Sequence, residues 1–151
     1  MGILETMRVS LSALTAQRVR MDVTASNLAN VDTTRTPQGG PYLRRQVVFA
    51  TEQPSPFARL VQTRTGLVET TPSAGRGVQV AGIVVDRRAV REVYDPTHPD
   101  ADANGIVRYP DIDVVSEMTN LMAATRAYEA NVTVLDASKA MAMRALSIGR
   151  A

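Results

Sequence analysis

Two heptad seams, one at each end of the chain, constrain the fold more than any other feature. Leu4, Met7, Leu11, Leu14, Met21, Ala25 and Leu28 recur at alternating steps of three and four, with Arg18 as the single polar break. Val114, Met118, Leu121, Tyr128, Val132, Leu135, Ala142 and Leu146 do the same near the other terminus, interrupted by Thr125 and Lys139. A 3.5-residue apolar repeat held over four heptads or more marks a helix that lays one stripe against another helix. The spacing predicts one helix from Ile3 to about Leu28, roughly 40 Å long, and a second from Val114 of roughly 50 Å. Pro37 forbids simple continuation of the first. Asp113 is placed to cap the second, Glu117 suits the positive end of its dipole, and Gly149 is a plausible stop.

Between the seams the pattern changes. Residues 35–41 form a turn cluster rich in Pro and Gly. Leu43–Phe49, Val78–Val85, Val90–Tyr94 and Ile106–Tyr109 read as short strands, and Asp95–Gly105 as a loop. The stretch 51–76, rich in Thr, Pro, Ser and Gly, reads as a flexible excursion. The fold class is therefore α+β. An N-terminal helical segment, 1–34, pairs with a C-terminal one, 113–151, in a coiled-coil-like inner domain, and a small β-rich module, 35–112, lies between them. Two helices leave much of each seam bare, so the pattern points to helices that polymerise with copies of the chain, the alternative being an intramolecular hairpin. Free subunits are then expected to have loosely ordered ends and a better protected middle module.

Few chemistries fit the residues. Asp100, Asp102, Asn104 and Asp111 imitate positions 1, 3, 5 and 12 of a calcium loop. Position 12 is Asp rather than Glu, however, Arg108 takes the ninth place, and Pro96 and Pro99 rule out an entering helix. His98, the one histidine of 151 residues, has only Asp95 and Asp100 for company, too few ligands for zinc and no basis for a catalytic triad. Gly75-Arg76-Gly77 lacks the lysine and spacing of a phosphate loop. No cofactor or catalytic residue is assigned. The chain has no cysteine, which excludes disulfides and thiolate chemistry. A formal net charge of +2, no basic cluster beyond Arg44-Arg45 and Arg87-Arg88, and 4% aromatic residues argue against nucleic-acid binding. No apolar run reaches the ~20 residues of a membrane span, and the first residues lack the basic and apolar regions of a secretory signal. Arg18 and Lys139 either snorkel from the seams or meet carboxylates of neighbouring subunits.

The residues also carry a resemblance. Ser26-Asn27-Leu28-Ala29-Asn30-Val31-Asp32-Thr33-Thr34-Arg35-Thr36 resembles the signature that follows the first helix of flagellar rod and hook proteins. Gly39-Gly40-Pro41-Tyr42, the run Val93 to Asp102 with Tyr94, Asp95, Pro96, His98 and Pro99, and Tyr109-Pro110 are similar to segments of the proximal-rod members. Ala127-Tyr128-Glu129-Ala130-Asn131 resembles the family's C-terminal signature. Thr97 stands where that pattern has Gly, and Ser116 where it has Glu.

The resemblance implies a structural subunit of the bacterial flagellar basal body and no enzyme. Its terminal helices would line an inner tube around the export channel, and its rod would transmit torque across the periplasm. It implies subunit packing through Leu4, Met7, Leu11, Leu14, Met21, Leu28, Val114, Met118, Leu121, Tyr128, Val132, Leu135 and Leu146. Implied partners are copies of the chain, the rod proteins FlgB, FlgF and FlgG, the base adaptor FliE, and the flagellar type III export apparatus, which exports its clients without cleaving a signal. Asn27, Asn30 and Asn131 are expected to satisfy backbone groups where helices end or pass neighbours. The competing classes are a calcium-binding protein and a coiled-coil adaptor.

Overall fold

The computed structural model describes residues 2–52 and 76–148. Helix α1 spans Ile3–Ala29 and helix α2 spans Val114–Ile148, with strands β1 (Arg45–Thr51), β2 (Val78–Val85), β3 (Val90–Tyr94) and β4 (Ile106–Pro110) between them. β1 starts two residues later than the pattern suggests, and the other elements begin where it places them. The 51–76 excursion lies, from 53 to 75, outside the described residues, as does Gly149.

The two helices form an antiparallel pair. Asn27 bonds to Glu117, Arg20 to Asn120, and the Thr125 hydroxyl meets the Met21 sulfur at 3.6 Å. Their contact is not made by the apolar seams facing each other. The row that turns inward contains Ser10, Gln17 and Thr24 on α1, and Glu117, Ala124, Asn131 and Ser138 on α2. Of these Ser10, Thr24, Glu117, Ala124 and Ser138 are fully buried. Small side chains in this row permit a close approach of the two backbones.

One half of each seam flanks this contact and is half-buried: Met7, Leu14, Met21 and Leu28 on α1, and Leu121, Tyr128, Leu135 and Ala142 on α2. The other half lies further out. Leu4, Leu11, Arg18 and Ala25 are all exposed, as are Met118, Thr125, Lys139 and Leu146, while Val132 is half-buried. Val114, at the start of α2, is also exposed. In an antiparallel pair, equivalent flanking rows lie on the same side, so the two seams run side by side on one open face of the hairpin. Leu4 is 82% exposed and Leu146 65% exposed on that face.

The middle is two separate two-stranded antiparallel ribbons, β1–β2 and β3–β4, with a bulge between Val48 and Phe49 in the first. The β1–β2 ribbon packs along α1. The Ser12 hydroxyl accepts the Val78 amide at 3.0 Å, and the Glu52 amide bonds the Gly77 carbonyl at 2.8 Å. A Cβ at Gly77 would collide with the Ser12 side chain, so glycine is required where the ribbon touches the helix. In and beside the second ribbon Val107, Pro110, Ala89 and Ile112 are buried. Among the described residues the middle is thus two ribbons rather than one sheet, and the larger of them leans on α1.

Candidate functional site

Asn27, from the first signature, makes four side-chain hydrogen bonds. It is 1% exposed and sits in the last turn of α1. Its Nδ2 donates to the Arg45 carbonyl at 2.8 Å and to Glu117 Oε2 at 3.1 Å. Its Oδ1 accepts from the Tyr42 hydroxyl and from the Arg45 amide, both at 3.0 Å. An amide side chain has two donors and two acceptor positions, and here all four are used. One residue thereby ties α1, the start of β1 and the start of α2.

Glu117 completes this node. The sequence marks it as an acid in the first turn of α2, but its larger role is tertiary. It is 2% exposed, and its Oε1 accepts from Arg44 Nε at 2.9 Å and Nη2 at 2.6 Å. A buried carboxylate is costly unless paired and hydrogen-bonded, and both conditions are met. Arg45 lies 5.5 Å from the centre of the Tyr42 ring, a cation–π contact on the rim of the node.

The remainder of the first signature turns the chain back on itself. Asn30 ends α1, its Nδ2 donating to the Ser26 carbonyl at 2.8 Å. The Thr33 hydroxyl donates to Asn30 Oδ1, and the Tyr42 amide donates to the Thr33 carbonyl. Leu28 and Val31 are half-buried beside them, and Ala29 and Asp32 face outward. Asn30 thus satisfies a helix end and Asn27 a neighbouring strand, as expected. Asn131 instead bonds the Ala127 carbonyl one turn back within α2. Tyr128 is half-buried in the open face, and Glu129 and Ala130 are exposed.

The second signature is built from short-range turns. Asp95 accepts from the Thr97 amide and hydroxyl, and Asp102 from the amides of Asn104 and Ile106. These bonds hold both carboxyls below their ordinary range, Thr97 being the main cause at Asp95 and Ile106 at Asp102. Thr97, a departure from the resembled pattern, adds a hydroxyl bond that Gly would lack. His98 Nδ1 accepts the Asp100 amide, and its ring meets Tyr109 edge-on at 6.1 Å. Gly105, at φ +73°, lets the loop close against Pro96 and Tyr94, while Pro99 and most of Tyr94 are exposed. The loop is entered from β3 and left through β4, which is not the helix–loop–helix of a calcium hand. Asp100 is turned to the first signature, accepting from the Thr34 hydroxyl at 2.7 Å and lying 3.8 Å from the Arg35 guanidinium.

Asp113 caps α2 as anticipated. Its carboxylate accepts from the Val115 amide and the Ser116 hydroxyl, and the latter chiefly holds its pKa below the ordinary value. Ser116 thus supports the cap from the position where the resembled pattern has Glu. Sequence reasoning did not single out Arg44 as a site residue or the inward row of Ser10, Thr24, Ala124 and Ser138. The signal was present as small or polar residues seven apart, but periodic apolar residues obscured it.

The assembly of signature residues into one buried node and one turn frame is architectural, and comparison with known proteins decides its kind. Residues 7–35 match the model of the flagella basal body rod protein family, and residues 103–148 match the flagellar basal body rod FlgEFG protein C-terminal model. The flagellar basal-body rod protein FlgC of Bacillus subtilis is 46% identical over 99% of this chain and 100% of its own length. The chain belongs to the FlgC family of flagellar basal-body rod proteins. The FlgC proteins of Borreliella burgdorferi and Salmonella typhimurium are 41% and 40% identical, covering 98% and 99% of this chain and 98% and 100% of their own. Both family models fall on what the structure ties together: α1 with its signature turn, and α2 with the β4 strand that precedes it. The family is structural, in keeping with a site made of cross-links between elements. No helix among the described residues is long and apolar enough to cross a membrane.

Proposed function

We propose that the chain is a structural subunit of the flagellar rod that polymerises through the open face of its helical hairpin. The observation that carries this reading is the apolar face itself. Leu4, Leu11, Met118 and Leu146 project from it while small and polar residues fill the intramolecular contact. Contiguous exposed apolar surface of this kind marks a protein–protein contact. The half-buried members of the seams, Met7, Leu14, Met21, Leu28, Leu121, Tyr128, Val132 and Leu135, form the floor of that face. In this reading copies of the chain stack with other rod components into a drive shaft enclosing the export channel in the periplasm. FlgB, FlgF and FlgG are its rod neighbours, and FliE joins its base. The subunit arrives uncleaved through the flagellar type III export apparatus.

Leu11→Asp is the sharpest test, because Leu11 is 53% exposed and contributes little to the isolated fold. The purified variant is expected to unfold within about 0.5 kcal/mol of the parent chain. In cells it should be missing from basal bodies and abolish swimming, since a carboxylate buried without a partner is costly. Mass spectrometry of parental basal bodies should find the chain beginning at Met1 or Gly2. Leu11→Asp cells that swim with the variant in their rods would overturn the reading.

A further inference from the structure

The β1–β2 ribbon covers α1 and, among the described residues, does not pack on α2. It leaves a cleft of about 390 Å³ between β1 and the two helices, lined by Arg20, Thr24, Arg45, Val47, Phe49 and Asn120 among others. The cations of this cleft are not matched. Glu117, the carboxylate on its wall, is taken up by Arg44 and Asn27. Arg20 is half-buried and gives a single bond, from Nη2 to Asn120 Oδ1 at 3.2 Å. The Arg45 guanidinium has only the face of the Tyr42 ring. Neither arginine has an ion pair among the described residues. Thr24 is 5% exposed, and neither its hydroxyl nor the Asn120 amide nitrogen donates to any described residue. Arginine stays charged under all ordinary conditions, and a charge held away from water is costly until it is paired. A cleft with this many unused donors is suited to a carboxylate.

The same cleft holds an open strand edge. The Arg44 carbonyl accepts from the Asp86 amide, and the Glu52 amide donates to the Gly77 carbonyl. Gln46, Val48 and Ala50 between them therefore bond across the ribbon, because the two sides of a strand alternate. The odd-numbered residues turn to the other edge, where the Arg45 amide and carbonyl meet Asn27. Val47 and Phe49 follow on that edge, and their outward amides and carbonyls have no partner among the described residues. An unpaired edge is a template for a further strand. Past the cleft α2 is bare as well. The row of Asn120 continues at seven-residue steps as Ala127, half-buried, and then Val134 and Met141, both exposed.

We propose that β1 takes a third strand from a neighbouring rod polypeptide: an extended acidic segment whose backbone pairs with Val47 and Phe49 and whose carboxylate enters the cleft between Arg20 and Arg45. This rests on the rod-subunit reading above and adds to it a second, polar contact. Strand addition accounts for both features together. Main-chain bonds satisfy the edge, and a side chain at one alternate position neutralises the cleft. A strand spaced about 4.8 Å from β1 lies towards the bare row of α2. A small free anion would match the arginines and leave the edge open. The chain's own residues 53–75 carry Arg59 and Arg64 against Glu69 alone, so they do not supply the missing negative charge.

Lys139 is the one lysine of the chain, so an amine can be placed in the cleft without competition. Arg20→Lys, made together with Lys139→Arg, keeps the positive charge there. In basal bodies carrying this variant a carbodiimide joins the new amine to a carboxylate in contact with it. A two-chain product is expected on a denaturing gel, with tandem mass spectrometry placing the bond between residue 20 and an Asp or Glu of the second chain. Coupling to Glu117 of the same chain, or no coupling at residue 20 in assembled rods, would overturn the proposal and leave the rod reading intact. If the variant does not enter the rod, proline decides. Val47 and Ile83 oppose each other in the ribbon and turn their amides to opposite edges, Val47 to the cleft and Ile83 away from it. Proline is tolerated where an edge amide points outward, so purified Val47→Pro and Ile83→Pro chains should both keep the parent's circular dichroism spectrum. Val47→Pro should be missing from rods and abolish swimming, and Ile83→Pro cells should swim. Val47→Pro cells that swim, or an equal loss from both variants, would reject the added strand.

Discussion

Asn27 shows how much of the architecture rests on one amide. Replacing it with alanine leaves the Arg45 amide, the Arg45 carbonyl and Glu117 Oε2 each short of a partner. Unsatisfied buried groups cost about 1–3 kcal/mol each, so Asn27→Ala is expected to lower stability by about 3 kcal/mol in urea unfolding of the monomer. The Arg44–Glu117 pair should be strongly non-additive. Removing Arg44 strands the buried Glu117 charge at about 3 kcal/mol, whereas Arg44→Met with Glu117→Leu removes both and should cost less than the two singles combined. Additive losses would mean that the pair contributes nothing as a pair. Asn27 was visible in the sequence as a family signature residue. Its partners were not, because Arg45 and Glu117 lie 18 and 90 residues away and no local pattern links them.

At the scale of elements, α2 and the loop before β4 depend on carboxylates that accept local hydrogen bonds. Asp95, Asp102 and Asp113 all have pKa values lowered from the ordinary 3.8. A lowered folded-state pKa contributes stability that is fully present above the unfolded value and is lost as pH falls through the folded one. The α2 cap and the β3–β4 turn should therefore be unchanged between neutral pH and mild acid, and loosen only below the ordinary carboxylate range. Carboxyl carbon shifts followed by NMR should give three midpoints under 3.8; midpoints at or above it would show that these bonds are not held in solution. Asp113→Asn keeps a capping oxygen and should remove the acid sensitivity of the α2 N-terminus. These elements were largely legible in the sequence, since caps, Asx turns and strand alternation are written within a few residues. β1 begins at Arg45, whose amide and carbonyl both bond Asn27, and Arg44 just before it is held by its side chain to Glu117, contacts that no local pattern records.

At the scale of the whole molecule, the ribbon β1–β2 belongs with the helices. It is fastened to α1 through Asn27 and Arg45 at one end and Ser12 and Val78 at the other. In the free subunit its amides, from Arg45 to Thr51 and from Val78 to Val85, are expected to exchange in the same opening as the helices, with the β3–β4 hairpin opening separately. Asn27→Ala should accelerate exchange in the ribbon and in both helices together. A ribbon that stays protected while the helices exchange freely would overturn this grouping and support the independent middle module that the sequence suggests.

The sequence by itself determined, to within two residues, where the described helices and strands begin, and that two apolar seams exist. Those are properties of local spacing and residue chemistry. Tertiary structure decided which row of each helix turns inward. A heptad pattern records that an apolar stripe needs a partner, but not whether that partner is within the same chain. Here the contact between the two helices is filled by small side chains such as Ser10, Thr24, Ala124 and Ser138, and the larger apolar side chains are left side by side on a face open to other subunits.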